Sequence, residues 1–171
     1  MTIHARLAKQ AAEEYVRYGK MLTEPRHLPP EMTSQQACYV HILQKPGRKL
    51  KASFGYPLPR YQTLAQEIIH NTISALRARA ASVIRRPDFG SLVYRVDVVE
   101  PLQRISIAAQ LNPGVFGLYV RSDQGKTSII LPGRTGIETP DHQIATAFRE
   151  AAIDPRREAA TLYRFEVNSY E

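Results

Sequence analysis

Ala37-Cys38-Tyr39-Val40-His41-Ile42-Leu43-Gln44-Lys45-Pro46-Gly47-Arg48-Lys49-Leu50-Lys51-Ala52-Ser53-Phe54-Gly55 is the stretch from which the fold is read. Residues 37–43 are rich in β-favouring side chains and predict a strand. Gln44–Arg48 is turn chemistry, because Pro46 fixes its own φ and Gly47 tolerates positive φ. The chain then returns through Lys49–Gly55, completing a hairpin. Tyr56-Pro57-Leu58-Pro59 ends it, since neither proline can donate to a ladder.

Upstream of the hairpin, Ile3, Leu7, Ala11, Tyr15, Tyr18 and Leu22 recur three or four apart, the pattern of an amphipathic helix that Thr2 can cap. Pro25, Pro29 and Pro30 then predict a surface loop. Downstream, Ile69, Ile73, Leu76, Ala80 and Val83 form a buried stripe, predicting a long helix over about 61–84 with Arg77, Arg85 and Arg86 outside it. Leu92, Tyr94, Val96 and Val98 alternate as a strand with one well-buried face. A second hairpin is predicted over 115–121 and 126–131, a short helix from Pro140, and a last strand over 161–169 with Tyr163, Phe165 and Val167 on one side. Hairpins interspersed with helices make an α+β fold with mostly antiparallel pairing.

The chain has 171 residues, 43% of them hydrophobic and 23% charged, which fits one domain over 1–171 with a real core. No apolar run is long enough for a membrane span, and the first residues lack the apolar centre of a signal peptide. One cysteine, Cys38, excludes an internal disulfide and a cysteine-based zinc site, and it reads as a small buried residue. A cytoplasmic location is the expectation. The net charge of +7 is regional: residues 26–86 hold ten Lys/Arg against Glu31 and Glu67, a net +8. Such a segment can steer an anionic partner.

Motif searching excludes more than it finds. His4, His27, His41, His70 and His142 show no metal-ligand spacing. No phosphate loop, dinucleotide fingerprint or Gly-x-Ser-x-Gly elbow is present, and nothing calls for a cofactor. Lys51 and Ser53 lie two apart on a predicted strand and so share a face. A lysine beside a serine can activate its hydroxyl. The same pattern also describes two polar side chains on an exposed strand, and both readings stand at this point.

The order of these elements resembles the AMMECR family over nearly the whole chain. Tyr39-Val40-His41-Ile42 is similar to the family's strand, and 50–55 sits where the family carries Leu-Arg-Gly-Cys-Ile-Gly. Asn112-Pro113-Gly114-Val115-Phe116-Gly117-Leu118-Tyr119-Val120, Ile129-Ile130-Leu131-Pro132 and Tyr163-Arg164-Phe165 are similar to further family motifs. The resemblance implies two unequal lobes with a cleft and no settled reaction. It also implies possible partnership with Memo-like and radical S-adenosylmethionine proteins. In the signature only Leu50 and Gly55 are kept. Lys51, Ala52, Ser53 and Phe54 replace arginine, glycine, cysteine and isoleucine, so the thiol is lost. Arg86-Pro87-Asp88-Phe89 stands where the family reads Asp-Pro-Arg-Phe.

Two functional expectations follow. The first is a binding or accessory module whose basic segment 26–86 meets nucleic acid, a phosphorylated ligand or an acidic protein, with Lys51, Ser53, Gly55, Arg77, Arg86 and Asp88 as ligand-binding candidates. The second is an enzyme, or an enzyme component in a modification pathway, with Lys51 and Ser53 as catalytic candidates and Arg86 and Asp88 nearby. The missing cysteine favours the first.

Overall fold

A computed structural model describes residues 1–78 and 83–171. The chain divides into two compact units, Met1–Val99 with Asn168–Glu171, and Glu100–Val167.

In the first unit, α1 (Ile3–Tyr18) begins where expected, with Thr2 Oγ1 accepting the Ala5 N–H at 3.3 Å. Gly19, at φ 67°, closes it by donating to the Tyr15 carbonyl. Leu7, Ala8, Ala11 and Ala12 are buried, and so is His4. Tyr18, assigned to the apolar stripe from sequence, is exposed because the helix stops there and Gly19 turns the chain away. Within the proline-rich stretch lies a single helical turn, α2 (Pro30–Thr33), that the sequence reads as loop. Proline suits the first helical position, and Met32 anchors the turn by complete burial.

The hairpin forms as predicted, from β1 (Cys38–Gln44) and β2 (Lys49–Gly55). The long helix is shorter than its stripe suggests: α3 spans Leu64–Arg77, and Thr63 caps it by accepting the Gln66 N–H at 3.1 Å. Residues 60 and 61 are held outside it because the buried Glu67 carboxylate accepts the Arg60 and Tyr61 N–H groups at 2.9 and 3.1 Å. Ala78 turns extended and ends the helix. Ala80 lies outside the described residues, and Val83 is exposed rather than part of a buried stripe.

A 3-10 turn over Arg86–Ser91 leads into β3 (Leu92–Val99). This sheet has the order β2-β1-β3-β8, where β8 is Val167–Tyr170, and β1 runs antiparallel to both β2 and β3. One sheet face, with Val40, Ile42, Ala52, Tyr94, Val96 and Val98, packs against α1 and α3 through Leu7, Ala11, Ile68 and Ile69. Each fully buried aliphatic chain there contributes about 1.5–3 kcal/mol. Tyr39, His41, Leu43 and Asp97 on the other face are also buried, so the β3 expectation of a single buried face is corrected.

The second unit carries β4 (Gln103–Ile105), β5 (Gly117–Ser122), β6 (Thr127–Ile130), α4 (Pro140–Ala151) and β7 (Ala160–Phe165), with sheet order β4-β7-β5-β6. Thr139 caps α4 by accepting the His142 N–H at 3.2 Å, and Ala147 joins Leu118, Val120 and Ile130 in the core. Gly117 pairs with Phe165, whose ring occupies the space a Cβ would need. The final strand predicted over 161–169 is two strands. The chain leaves the second sheet after Phe165 and enters the first at Val167, so Tyr163, Phe165 and Val167 do not share one strand. β4 has only three residues, too few for a readable alternation. The result is an α+β fold of two antiparallel sheets with helices.

Candidate functional site

On the sheet face away from α1 and α3, antiparallel register sets side chains in rows across strands. His41 of β1 lies directly opposite Ser53 of β2 and Arg95 of β3, and Tyr39 lies opposite Gly55 and Asp97 in the next row. Ser53 Oγ is 2.8 Å from His41 Nδ1. His41 Nε2 is 3.1 Å from Asp97 Oδ2, an ion-pair contact approached off the line of a straight hydrogen bond. The His41 and Asp97 side chains are 5% and 6% exposed, so water screens their interaction little.

Asp97 has further partners. Ser169 of β8 donates to Oδ1 at 2.7 Å, and Arg95 Nε lies 3.1 Å from the same oxygen. Burial alone would raise the Asp97 carboxyl; contacts from His41, Ser169 and Arg95 outweigh it and hold the group below its ordinary value. Asp97 is thus a carboxylate at neutral pH. It faces Nε2, which favours the His41 tautomer protonated there and leaves Nδ1 free to accept from the Ser53 hydroxyl. A serine, an imidazole acceptor and a buried carboxylate therefore stand in sequence across β2, β1 and β3. That is the arrangement in which a hydroxyl is activated as a nucleophile.

Gly55 is needed for this packing. A Cβ there would lie 2.6 Å from Tyr39 Cα and against the Cys38 carbonyl. Gly55 lets β2 and β1 approach at the end of their ladder.

Lys51 lies at an irregularity of the hairpin. The ladder is irregular between Ile42 and Leu43: Ile42 pairs with Ala52 and Leu43 with Leu50, so Lys51 is the unpaired residue of a bulge. The cross-strand partner of Ser53 is His41. Arg77 is exposed in the last turn of α3. Arg86 donates through Nη2 to the Arg17 carbonyl at 2.6 Å, on the helix side of the sheet, and Asp88 accepts the Arg85 N–H at 2.7 Å. Those two residues close the α1 terminus and the 3-10 turn, and the structure does not bring them to Ser53. Cys38 is wholly buried and burial pushes its thiol far up, as suits an inert core residue. Among the described residues, no group of three His, Cys, Asp or Glu side chains is placed to hold a metal ion. None of the described helices is long and apolar enough to cross a membrane.

Residues 5–170 match the AMMECR1 family. The chain belongs to the AMMECR1 family. A Thermotoga maritima protein is 28% identical over 169 residues, covering 98% of this chain and 97% of its own length. A Thermococcus onnurineus relative is 28% identical, covering 97% of this chain and 87% of that protein. In a Clostridium acetobutylicum relative, 25% identical, the matched part is only 36% of the longer protein. The crystal structure of an uncharacterised Pyrococcus horikoshii protein superposes with a TM-score of 0.85, covering 97% of this chain and 88% of that one at 23% identity, which shows the shared fold. Ser53, which the sequence resemblance sets against a family cysteine, is the residue paired with His41.

Proposed function

We propose that this AMMECR1-family chain is an acyl-transfer enzyme whose nucleophile is Ser53. The observation that carries the reading is the 2.8 Å contact between Ser53 Oγ and His41 Nδ1, backed by Asp97. In the reaction Ser53 Oγ bonds to the carbonyl carbon of an ester, and its proton passes to His41 Nδ1. His41 returns that proton to the departing alcohol, leaving an acyl-serine. Water then adds to the acyl carbon and gives a proton to His41, which passes it to Ser53 Oγ as the acyl–oxygen bond breaks, releasing the acid and restoring Ser53 and the neutral imidazole. Asp97 holds the imidazole tautomer and stabilises its transient positive charge. The enzyme reading set second from sequence thus gains support once His41 and Asp97 stand beside Ser53.

The test is hydrolysis of p-nitrophenyl esters with a pre-steady-state burst. The burst should be present in the wild-type chain and absent in Ser53→Ala. Equal turnover by Ser53→Ala would remove the proposal.

A second reading, a module for anionic partners, is favoured by one observation. Of the two acids in 26–86, Glu67 is wholly buried, whereas Arg26, Lys45, Lys49 and Arg85 are exposed. RNA or DNA binding to this surface would weaken steeply with salt as counterions are released. A flat salt dependence would count against it.

A further inference from the structure

We infer that the acyl substrate of Ser53 carries an anionic group several carbons from its carbonyl, and that Arg95 binds it; this rests on the serine reading above. Arg95 lies in the same cross-strand row as Ser53, with His41 between them. Two inter-strand spacings put their backbones about 10 Å apart. Arg95 meets Asp97 through Nε alone, and among the described residues its two Nη groups carry no hydrogen bond. Its side chain is 36% exposed. A guanidinium tethered at Nε and open at both Nη groups presents the planar fork that takes a carboxylate or phosphate in two parallel bonds.

The nearby charges leave that fork free. Asp97 is shared with His41 and Ser169, and Glu171, the other acid influencing Arg95, is held by Arg48. Anchoring an anion at Arg95 would place an acyl chain along the row toward Ser53, converting binding energy into orientation. A neutral acyl chain of equal length lacks this contact.

Two measurements test the inference separately from the serine reading. In the first, kcat/KM is compared for the p-nitrophenyl half-ester of adipic acid and for p-nitrophenyl hexanoate, which has the same carbon count without the carboxylate. The half-ester should be preferred, and Arg95→Gln should lower the preference ratio about tenfold or more, with Arg95→Lys in between. An unchanged ratio in Arg95→Gln overturns the inference. In the second, adipate is titrated against the Ser53→Ala chain while the Arg95 Nε–H signal is followed by NMR. A saturable shift, with adipate binding by calorimetry lost in the Ser53→Ala, Arg95→Gln variant, supports the anion site even if neither ester is turned over, which would sink only the serine reading. No saturable shift overturns the anion site while leaving hexanoate turnover to stand for Ser53.

Discussion

Ser53 and His41 face each other across the β1–β2 ladder with Oγ 2.8 Å from Nδ1, so the hairpin itself sets a hydroxyl on an imidazole. Asp97 stands behind the imidazole from β3, 3.1 Å from Nε2, and Ser169 hydrogen-bonds Asp97 from β8, so all four strands of one sheet contribute a side chain to one connected row.

A thiol at position 53 should expose the activating power of His41. In Ser53→Cys, alkylation by iodoacetamide at pH 7 is expected to be about tenfold faster than in the Ser53→Cys, His41→Phe double variant. Cys38 is buried and should stay unmodified, so intact mass should show one adduct. Equal alkylation rates would mean that His41 does not act on position 53.

Ser169→Ala removes a donor from a buried carboxylate. The expected loss is about 1.5–3 kcal/mol in urea unfolding. The Asp97 carboxyl, followed by 13C NMR, should titrate at higher pH than in the wild-type chain, and Ser169→Thr should restore it. An unshifted Asp97 titration would separate β8 from the relay.

The lowered Asp97 pKa also fixes a pH dependence. A folded pKa below the unfolded value, about 3.9, makes a stabilising contribution that is present above that value and is lost as pH falls through the folded pKa. Asp97→Asn should therefore flatten the acid limb of the stability curve below about pH 4. Ester turnover at pH 7 in the same variant should fall by about a hundredfold or more, because the carboxylate that fixes the His41 tautomer is gone.

His4 supplies a second titration at milder pH. It stacks on Tyr170 at 3.9 Å, and burial holds its pKa below the ordinary value despite the opposing pull of Glu31. The unfolded chain then binds the proton first, so stability is full above about pH 6.5 and declines as pH drops below it. His70 acts in the same sense. His4→Phe keeps an aromatic stack, and its Tm should fall less between pH 7.5 and 5.5 than the wild-type Tm does.

Much of the fold was legible because local chemistry agreed with the tertiary outcome. Thr2, Pro46-Gly47 and Pro140 marked a helix start, a turn and a helix start, and each does so in the structure. The long helix was overextended because the apolar spacing continues past Arg77, whereas Ala78 leaves helical geometry. The terminal strand was read as one because its alternation carries no sign of a change of sheet at Glu166.

The site was half legible. Ser53 was singled out, but its pairing with His41 was not legible: counted from the Gln44–Lys49 pair, unbroken register would set His41 opposite Ala52, and the bulge at Lys51 brings Ser53 there instead. Nor was Asp97 legible, because the β1–β3 pairing spans more than fifty residues and no local pattern encodes it. The bulge, which leaves Lys51 without a cross-strand partner, has no local signature in Lys49–Gly55.

The most direct test is intact-mass analysis after treatment with a fluorophosphonate, which phosphonylates an activated serine with loss of fluoride. The expected result is one adduct mapped to Ser53 in the wild-type chain and almost none in His41→Phe, with both proteins folded by circular dichroism. No adduct at Ser53, or equal labelling with and without His41, would contradict an activated serine at this position.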